Sequence, residues 1–336
     1  MLDAAGIDKA ALAMRIGHEP RFGQSPFALT RGLAFEELVK RDGYAELFRL
    51  LRAEVNAHVA EAGVADLNDV GGTTSLPLRE KETRRLIRHL AAGNEDRLIL
   101  DHPVLNLEVA GRTAYLEPDA LTHRIEGRFH LVEIKSFPAI DGQASPIGVA
   151  EAAKQAAVYA IALRRTFTKV GLDEDLIADQ FLLVCPKDFS NRPYGRLVDI
   201  RQERDAIAFQ LHRLRRAEDI AKLLPKNATF DLSEESARSR AELDWSVAAL
   251  DASYTPECLS FCEMARYCRE EADVCATPAR LGSAVRNDLP GLDSTDTALT
   301  HLDGTAVPAA DTGQTEVIEL LRKANHLRVA RRGDVA

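Results

Sequence analysis

The sequence predicts an α/β protein in which a mixed central sheet is flanked by helices, and three observations carry that expectation. Short apolar runs broken by Pro, Gly and charged residues fill 97–135, where RLILDHP, VLNLEVAG, TAYLEPDAL and FHLVEIK read as a meander of three or four strands. An Ala-rich segment with no Pro or Gly after Gly148, IGVAEAAKQAAVYAIALRRTF, follows and is long enough to cover one face of a sheet. Two further strand candidates, DQFLLVCP and GRLVDI, lie beyond it, so the order is helix, strands, helix, strands, helix.

In chain order, the first thirty residues contain Pro20, Gly23 and Pro26 and predict a short helix and a loop. From Arg31 to about Ala60 the apolar positions Leu33, Phe35, Leu38, Val39, Leu47, Phe48, Leu50 and Leu51 suit one or two helices, with Gly43 as the break. A Gly- and Thr-rich stretch, Val70 to Ser75, leads into a basic amphipathic helix, LREKETRRLIRHLAAG. Its Arg79, Lys81, Arg84, Arg85 and Arg88 suit contact with phosphate, or else form a solvated face balanced by Glu80 and Glu82. A charged helix is expected from about Gln202 to Leu224. There is no internal repeat.

Composition bounds the function. With 336 residues, of which 46% are hydrophobic, the chain can bury a large core as one big domain with additions or as two domains. No apolar run approaches the roughly 18 residues of a membrane span. The start carries Asp3 and no signal-peptide core, so a cytoplasmic protein is expected. A net charge of −9 argues against non-specific coating of nucleic acid but leaves room for a local basic groove.

The stretch from Tyr115 to Lys135 carries the chemistry. Successive strand residues point to opposite faces, so Glu133 and Lys135 share one face and Ile134 takes the other. If two strands pair through a turn at Glu126-Gly127, Asp119 comes beside Glu133, and two carboxylates so placed repel unless a cation lies between them. Mg²⁺ or Mn²⁺ suits one or two carboxylates with waters and phosphate oxygens, and Lys135 is then placed to orient the attacking water. On the Ala-rich helix, Gln155 and Tyr159 are four apart and share a face, where an amide and a phenol suit a nucleic-acid backbone. The alternative is that Tyr159 caps the core.

Pro118-Asp119 followed by Glu133-Ile134-Lys135 resembles the signature of the PD-(D/E)XK nucleases, and Gln155 with Tyr159 resembles the Q-x-x-x-Y motif of their RecB-like branch. The upstream SPFALTRGLAFEELV resembles that branch's first helix. There a His usually faces the metal, whereas Glu36 is the nearest candidate here. The resemblance covers roughly residues 20 to 200. It implies a restriction-endonuclease-like fold in which Asp119, Glu133, the Ile134 carbonyl and Glu36 hold Mg²⁺ or Mn²⁺ and Lys135 assists hydrolysis. It also implies a DNA substrate, as single-stranded ends or flaps, and a setting in repair, recombination or defence. An RNA nuclease, or a non-catalytic nucleic-acid-binding module serving a helicase partner, is the alternative.

Near the C-terminus, Cys258, Cys262, Cys268 and Cys275 crowd into one segment, and thiolates so close select zinc or an iron–sulfur cluster. Their spacing is similar to the cysteine run that closes the iron–sulfur domain of AddB-type and CRISPR-associated adaptation nucleases. Those families draw a first cysteine from ahead of the core, where this chain has Ser25-Pro26, so Cys275 is the candidate fourth ligand of a [4Fe-4S] cluster, with Zn²⁺ as the alternative. Cys185 ends an apolar strand and reads as a small buried residue. The expected organisation is a nuclease core with N-terminal helices over 1–250 and the cysteine region over 251–280. A flexible linker over 281–312 and a C-terminal amphipathic helix over 313–336 complete it.

Overall fold

A computed structural model of the chain describes residues 2–20, 26–55, 63–70, 75–93, 97–125, 127–188, 190–213, 219, 221–233, 238–250, 252–255, 258–302 and 312–333. The chain divides into two compact units, one formed by 25–217 and the other by 1–24 together with 218–336. This differs from the expected core over 1–250: the first helices belong with the C-terminal segment. The reason is apolar contact, described below.

The first two helices are α1 (Leu2–Ala5) and α2 (Lys9–Arg15), and α3 (Pro26–Val55) opens the larger unit. The helix α3 is broken at Arg41–Tyr44, where Asp42, Gly43 and Tyr44 all take positive φ, so the break expected at Gly43 is there. The strand β1 (Gly63–Asp66), the basic helix α4 (Leu76–Ala91) and the strands β2 (Arg97–Asp101), β3 (Leu105–Val109), β4 (Arg112–Leu116), β5 (Ala120–Ile125) and β6 (Arg128–Ile134) follow. After a small hairpin, β7 (Ala139–Ile140) and β8 (Gln143–Ala144), come α5 (Pro146–Val170), β9 (Gln180–Pro186), β10 (Pro193–Asp199) and α6 (Arg201–Arg213). The rest of the expected helix to Leu224 includes 214–218, outside the described residues.

Six strands form one mixed sheet in the order β1-β2-β5-β6-β9-β10. The pairs β1/β2 and β6/β9 are parallel and the other three antiparallel. The meander is less simple than expected, because β3 and β4 leave the sheet as a separate hairpin. Leu105 and Leu107 of that hairpin pack on the same core as α5.

Period-two alternation divides the sheet into two apolar faces. Leu121, Phe129, Leu131, Phe181 and Leu183 face α5, whose Ala152, Ala153, Ala156, Ala157 and Ala160 let helix and sheet approach closely. Ile99, Ala120, Val132, Ile134, Leu182 and Val184 face α3 through Phe35, Val39, Leu47 and Leu51. Strand β9 is buried on both faces, which accounts for its unbroken apolar run. Pro146 starts α5, and Gly171, at φ 74°, ends it with amide bonds to the last carbonyls.

In the second unit, Leu12, Ala13 and Ile16 of α2 form one core with Leu243 and Val247 of α7 (Arg240–Ala248), and with Met264 and Tyr267. Beyond it lie α8 (Cys258–Phe261), α9 (Ala265–Cys275), α10 (Gly282–Asp288), α11 (Thr295–Leu302) and α12 (Thr312–Gly333). Two helices thus stand within the expected linker, and 303–311 lies outside the described residues. Within that linker Ser294 accepts from the Asp296 amide, and Leu292 is buried. Among the described residues no helix is long and apolar enough to cross a membrane.

Candidate active site

The hairpin β5/β6 builds the site. Ala120 pairs with Val132 and Leu121 with Leu131, so Asp119, one residue before β5, stands opposite Glu133. The turn itself includes Glu126, outside the described residues. Asp119 Oδ2 accepts from the Ile134 amide at 2.6 Å, which anchors the carboxylate at the end of β6. The pairing expected from the sequence is the pairing found.

Glu133 has no solvent exposure. Its Oε2 lies 2.8 Å from Lys135 Nζ, whereas its Oε1 is buried and, among the described residues, has no hydrogen-bond partner. Lys135 Nζ also donates to Gln155 Oε1 at 2.8 Å, and Gln155 Nε2 donates to Tyr159 Oη at 2.8 Å. Because an ammonium can only donate, the amide oxygen must face Lys135 and Nε2 the phenol, so the network fixes the orientation of Gln155. Four residues from two separate motifs thus form one continuous chain of polar contacts.

Burial, followed by the charge of Asp119, pushes Glu133 up to about 7, against the opposing pull of Lys135. Burial also raises Asp119, with the Ile134 amide and Lys135 opposing. Both carboxylates therefore sit where negative charge is costly.

Tyr159 sits where the alternative expectation places it: its ring is packed in the core at 8% exposure, and its hydroxyl meets Gln155. Gln155 remains exposed. Burial, then the nearby charge of Glu133, raises the phenol well above its ordinary value, so it stays protonated.

A second polar cluster lies behind Asp119, and the sequence had disclosed only Glu36 of it. Lys40 Nζ lies 2.5 Å from Glu36 Oε1, 2.7 Å from Asp101 Oδ1 and 2.9 Å from His102 Nε2. Burial alone would lower Lys40, but Asp101 and Glu36 outweigh it and the net shift is upward. His102 Nδ1 lies 3.1 Å from Glu117 Oε1, and its amide donates to the Asp119 carbonyl at 3.3 Å. Arg79, at 2% exposure, donates to Glu117 at 3.0 Å and to the His102 carbonyl at 2.8 Å. Arg79 is therefore an internal brace, not the phosphate contact that its helix suggested. Arg84 and Arg85 are paired with Glu80 and Glu82.

These contacts decide which residues suit a metal. Among the described residues no group of three or more His, Cys, Asp or Glu side chains is disposed to hold an ion. Glu36, expected as a third ligand, has its Oε1 committed to Lys40. Asp119 and Glu133 nevertheless fit Mg²⁺ or Mn²⁺, which commonly uses one or two carboxylates and takes its other ligands from water and phosphate. The partnerless Glu133 Oε1 is the atom such an ion would satisfy.

The cysteines fit less well. Cys258, Cys262 and Cys268 are half-buried, and the Cys262 amide bonds the Cys258 carbonyl at 2.9 Å. Burial pushes the Cys268 thiol up to about 11, with Cys262 and Cys258 adding to the effect. Cys275 is exposed at the end of α9, and the four thiols do not form a closed site. The other proposed origin of a ligand, Ser25, lies outside the described residues. Cys185 is buried, as expected.

No protein-family profile matches the chain, and no curated protein matches it in sequence. The fold and site define the class as far as a mixed α/β protein with two neighbouring carboxylates, one of them fully buried and paired with a lysine, at the end of its central strands.

Proposed function

We propose that the chain is a divalent-metal-dependent nuclease of the PD-(D/E)XK kind that hydrolyses DNA phosphodiester bonds at single-stranded ends or flaps. The observation that carries this reading is the chain Glu133–Lys135–Gln155–Tyr159, with Asp119 anchored beside it and Glu133 Oε1 left without a partner. Buried polar atoms are normally hydrogen-bonded, so a free carboxylate oxygen beside a second carboxylate suits a bound cation.

Asp119 and Glu133, with the Ile134 carbonyl, would hold Mg²⁺ or Mn²⁺; Glu36 is left to its ion pair with Lys40. When bound, the ion supplies positive charge to phosphate oxygens and eases deprotonation of water. The lysine ammonium has three N–H donors, of which Glu133 and Gln155 take two, so one is left to position the attacking water or a phosphate oxygen. Gln155 holds that ammonium in place and is itself held by the Tyr159 hydroxyl. Lys40 and His102 fix the backbone of Asp119 through its carbonyl.

Incubation of purified protein with labelled single- and double-stranded DNA and RNA, in Mg²⁺, Mn²⁺ or chelator, tests the reading on one gel. Ion-dependent shortening of DNA supports it. Cleavage of RNA alone would assign the other nucleic acid, and binding without cleavage would favour a scaffold for a partner such as a helicase.

A further inference from the structure

A cavity of about 400 Å³ lies on the α5 face of the sheet, bounded by Gly142, Val149, Leu183, Cys185, Tyr194 and Arg196. Strand register fixes its place relative to the carboxylates. Asp119 stands opposite Glu133, Glu133 pairs with Leu183, and Leu183 pairs with Arg196. These four positions form a row across adjacent strands. Alternation puts them on one face, since Leu121, Leu183 and Val198 pack toward α5 while Gly195 approaches Leu50 of α3 on the other side. With strands about 4.8 Å apart, the Arg196 backbone lies roughly 10 Å from that of Glu133. One step along the strands, Cys185 pairs with Tyr194, and the Lys135 amide bonds the Val184 carbonyl. The cavity therefore lies beside the candidate site on the same face of the sheet.

Its charge is also unspent. Arg196 is exposed and, among the described residues, its guanidinium has no hydrogen-bond or ion-pair partner, whereas Arg201 is paired with Asp199 and Arg204 with Asp179 and Asp205. Asp199 borders the same cavity, but Arg201 holds it at 2.6 Å. The walls otherwise combine apolar Val149 and Leu183 with the Tyr194 ring, whose hydroxyl donates to the Gly142 carbonyl at 3.3 Å. A ligand with an anionic group and a flat, partly apolar body suits that lining.

We infer that this cavity receives the nucleotide flanking the scissile phosphate, with Arg196 pairing to that nucleotide's phosphate. The inference rests on the nuclease reading and names a subsite that the motif residues do not include. Arg196 acts here in binding and takes no part in the bond-breaking step.

The test is fluorescence anisotropy of a short labelled oligodeoxythymidine in chelator, where nothing is cut, for wild type, Arg196→Ala and Arg196→Lys. Affinity is read between about 50 and 200 mM salt. Arg196→Ala should bind roughly tenfold more weakly, and its slope of log K against log salt should flatten by about 0.7, the share of one phosphate contact on a single strand. Arg196→Lys should keep the slope. Equal affinity and slope in Arg196→Ala would overturn the subsite, as would absence of wild-type binding at every salt concentration. Ion-dependent DNA cleavage by the same preparations would then show that the nuclease reading survives without it.

Discussion

The Lys135 ammonium stands 2.8 Å from Glu133 Oε2, so one cation offsets a carboxylate that has no contact with solvent. Replacing Lys135 with Met removes both that charge and the remaining N–H. Single-turnover cleavage should fall about 10²- to 10³-fold, the usual loss when a donor aimed at developing charge is removed. The thermal midpoint in chelator should change little, because Glu133 can take up a proton instead of remaining a bare buried charge.

The raised Glu133 gives a pH signature in metal-free protein. An acid whose folded value, about 7, lies above its unfolded value binds more protons when folded, so stability falls as pH rises through that interval. The penalty is absent below the unfolded value of about 4.5 and complete above about 7. Glu133→Gln should therefore raise stability by up to about 3 kcal/mol at pH 8 in chelator, a gain that shrinks toward pH 5. Denaturant titrations at the two pH values check this; an equal gain at both would show that Glu133 is ionised throughout.

Tyr159 separates packing from site chemistry. Tyr159→Ala empties a buried ring position and should cost about 3 kcal/mol. Tyr159→Phe keeps the ring but frees Gln155, so it should cost about 1 kcal/mol and still slow cleavage several-fold. Normal cleavage by Tyr159→Phe would remove Gln155 anchoring from the mechanism.

Arg79 and Arg85 share one helix yet should respond differently. Arg79→Met strips the donors from Glu117 and the His102 carbonyl and should destabilise by about 1–3 kcal/mol. Arg85→Ala removes a surface pair with Glu82 and should stay within about 0.5 kcal/mol. Urea titration of both variants distinguishes an internal brace from a solvated face.

Local signals made part of this architecture legible. The apolar alternation around Glu133 and Lys135 fixed their face, and the hairpin register then brought Asp119 opposite Glu133. The Ala-rich composition marked α5, and the four-residue spacing put Gln155 and Tyr159 on one side of it. What stayed hidden depends on contacts between distant parts of the chain. Lys40 meets Asp101 and His102, and Arg79 meets Glu117, across separations that no periodicity records. The sequence offers burial of the Tyr159 ring as one of two alternatives, because a Q-x-x-x-Y spacing sets a helical face but not its depth. The union of α2 with α7 joins residues far apart in the chain through ordinary aliphatic contacts, and these carry no motif.

Single-turnover cleavage of a labelled single-stranded DNA in Mn²⁺, compared for wild type, Asp119→Asn and Glu133→Gln, tests the two-carboxylate centre most directly. The wild type should cut, and each variant should lose at least about 100-fold while remaining folded, since each removes one charge that would hold the ion. Cleavage at the wild-type rate by either variant, or equal cleavage by the wild type in chelator, would contradict the assignment.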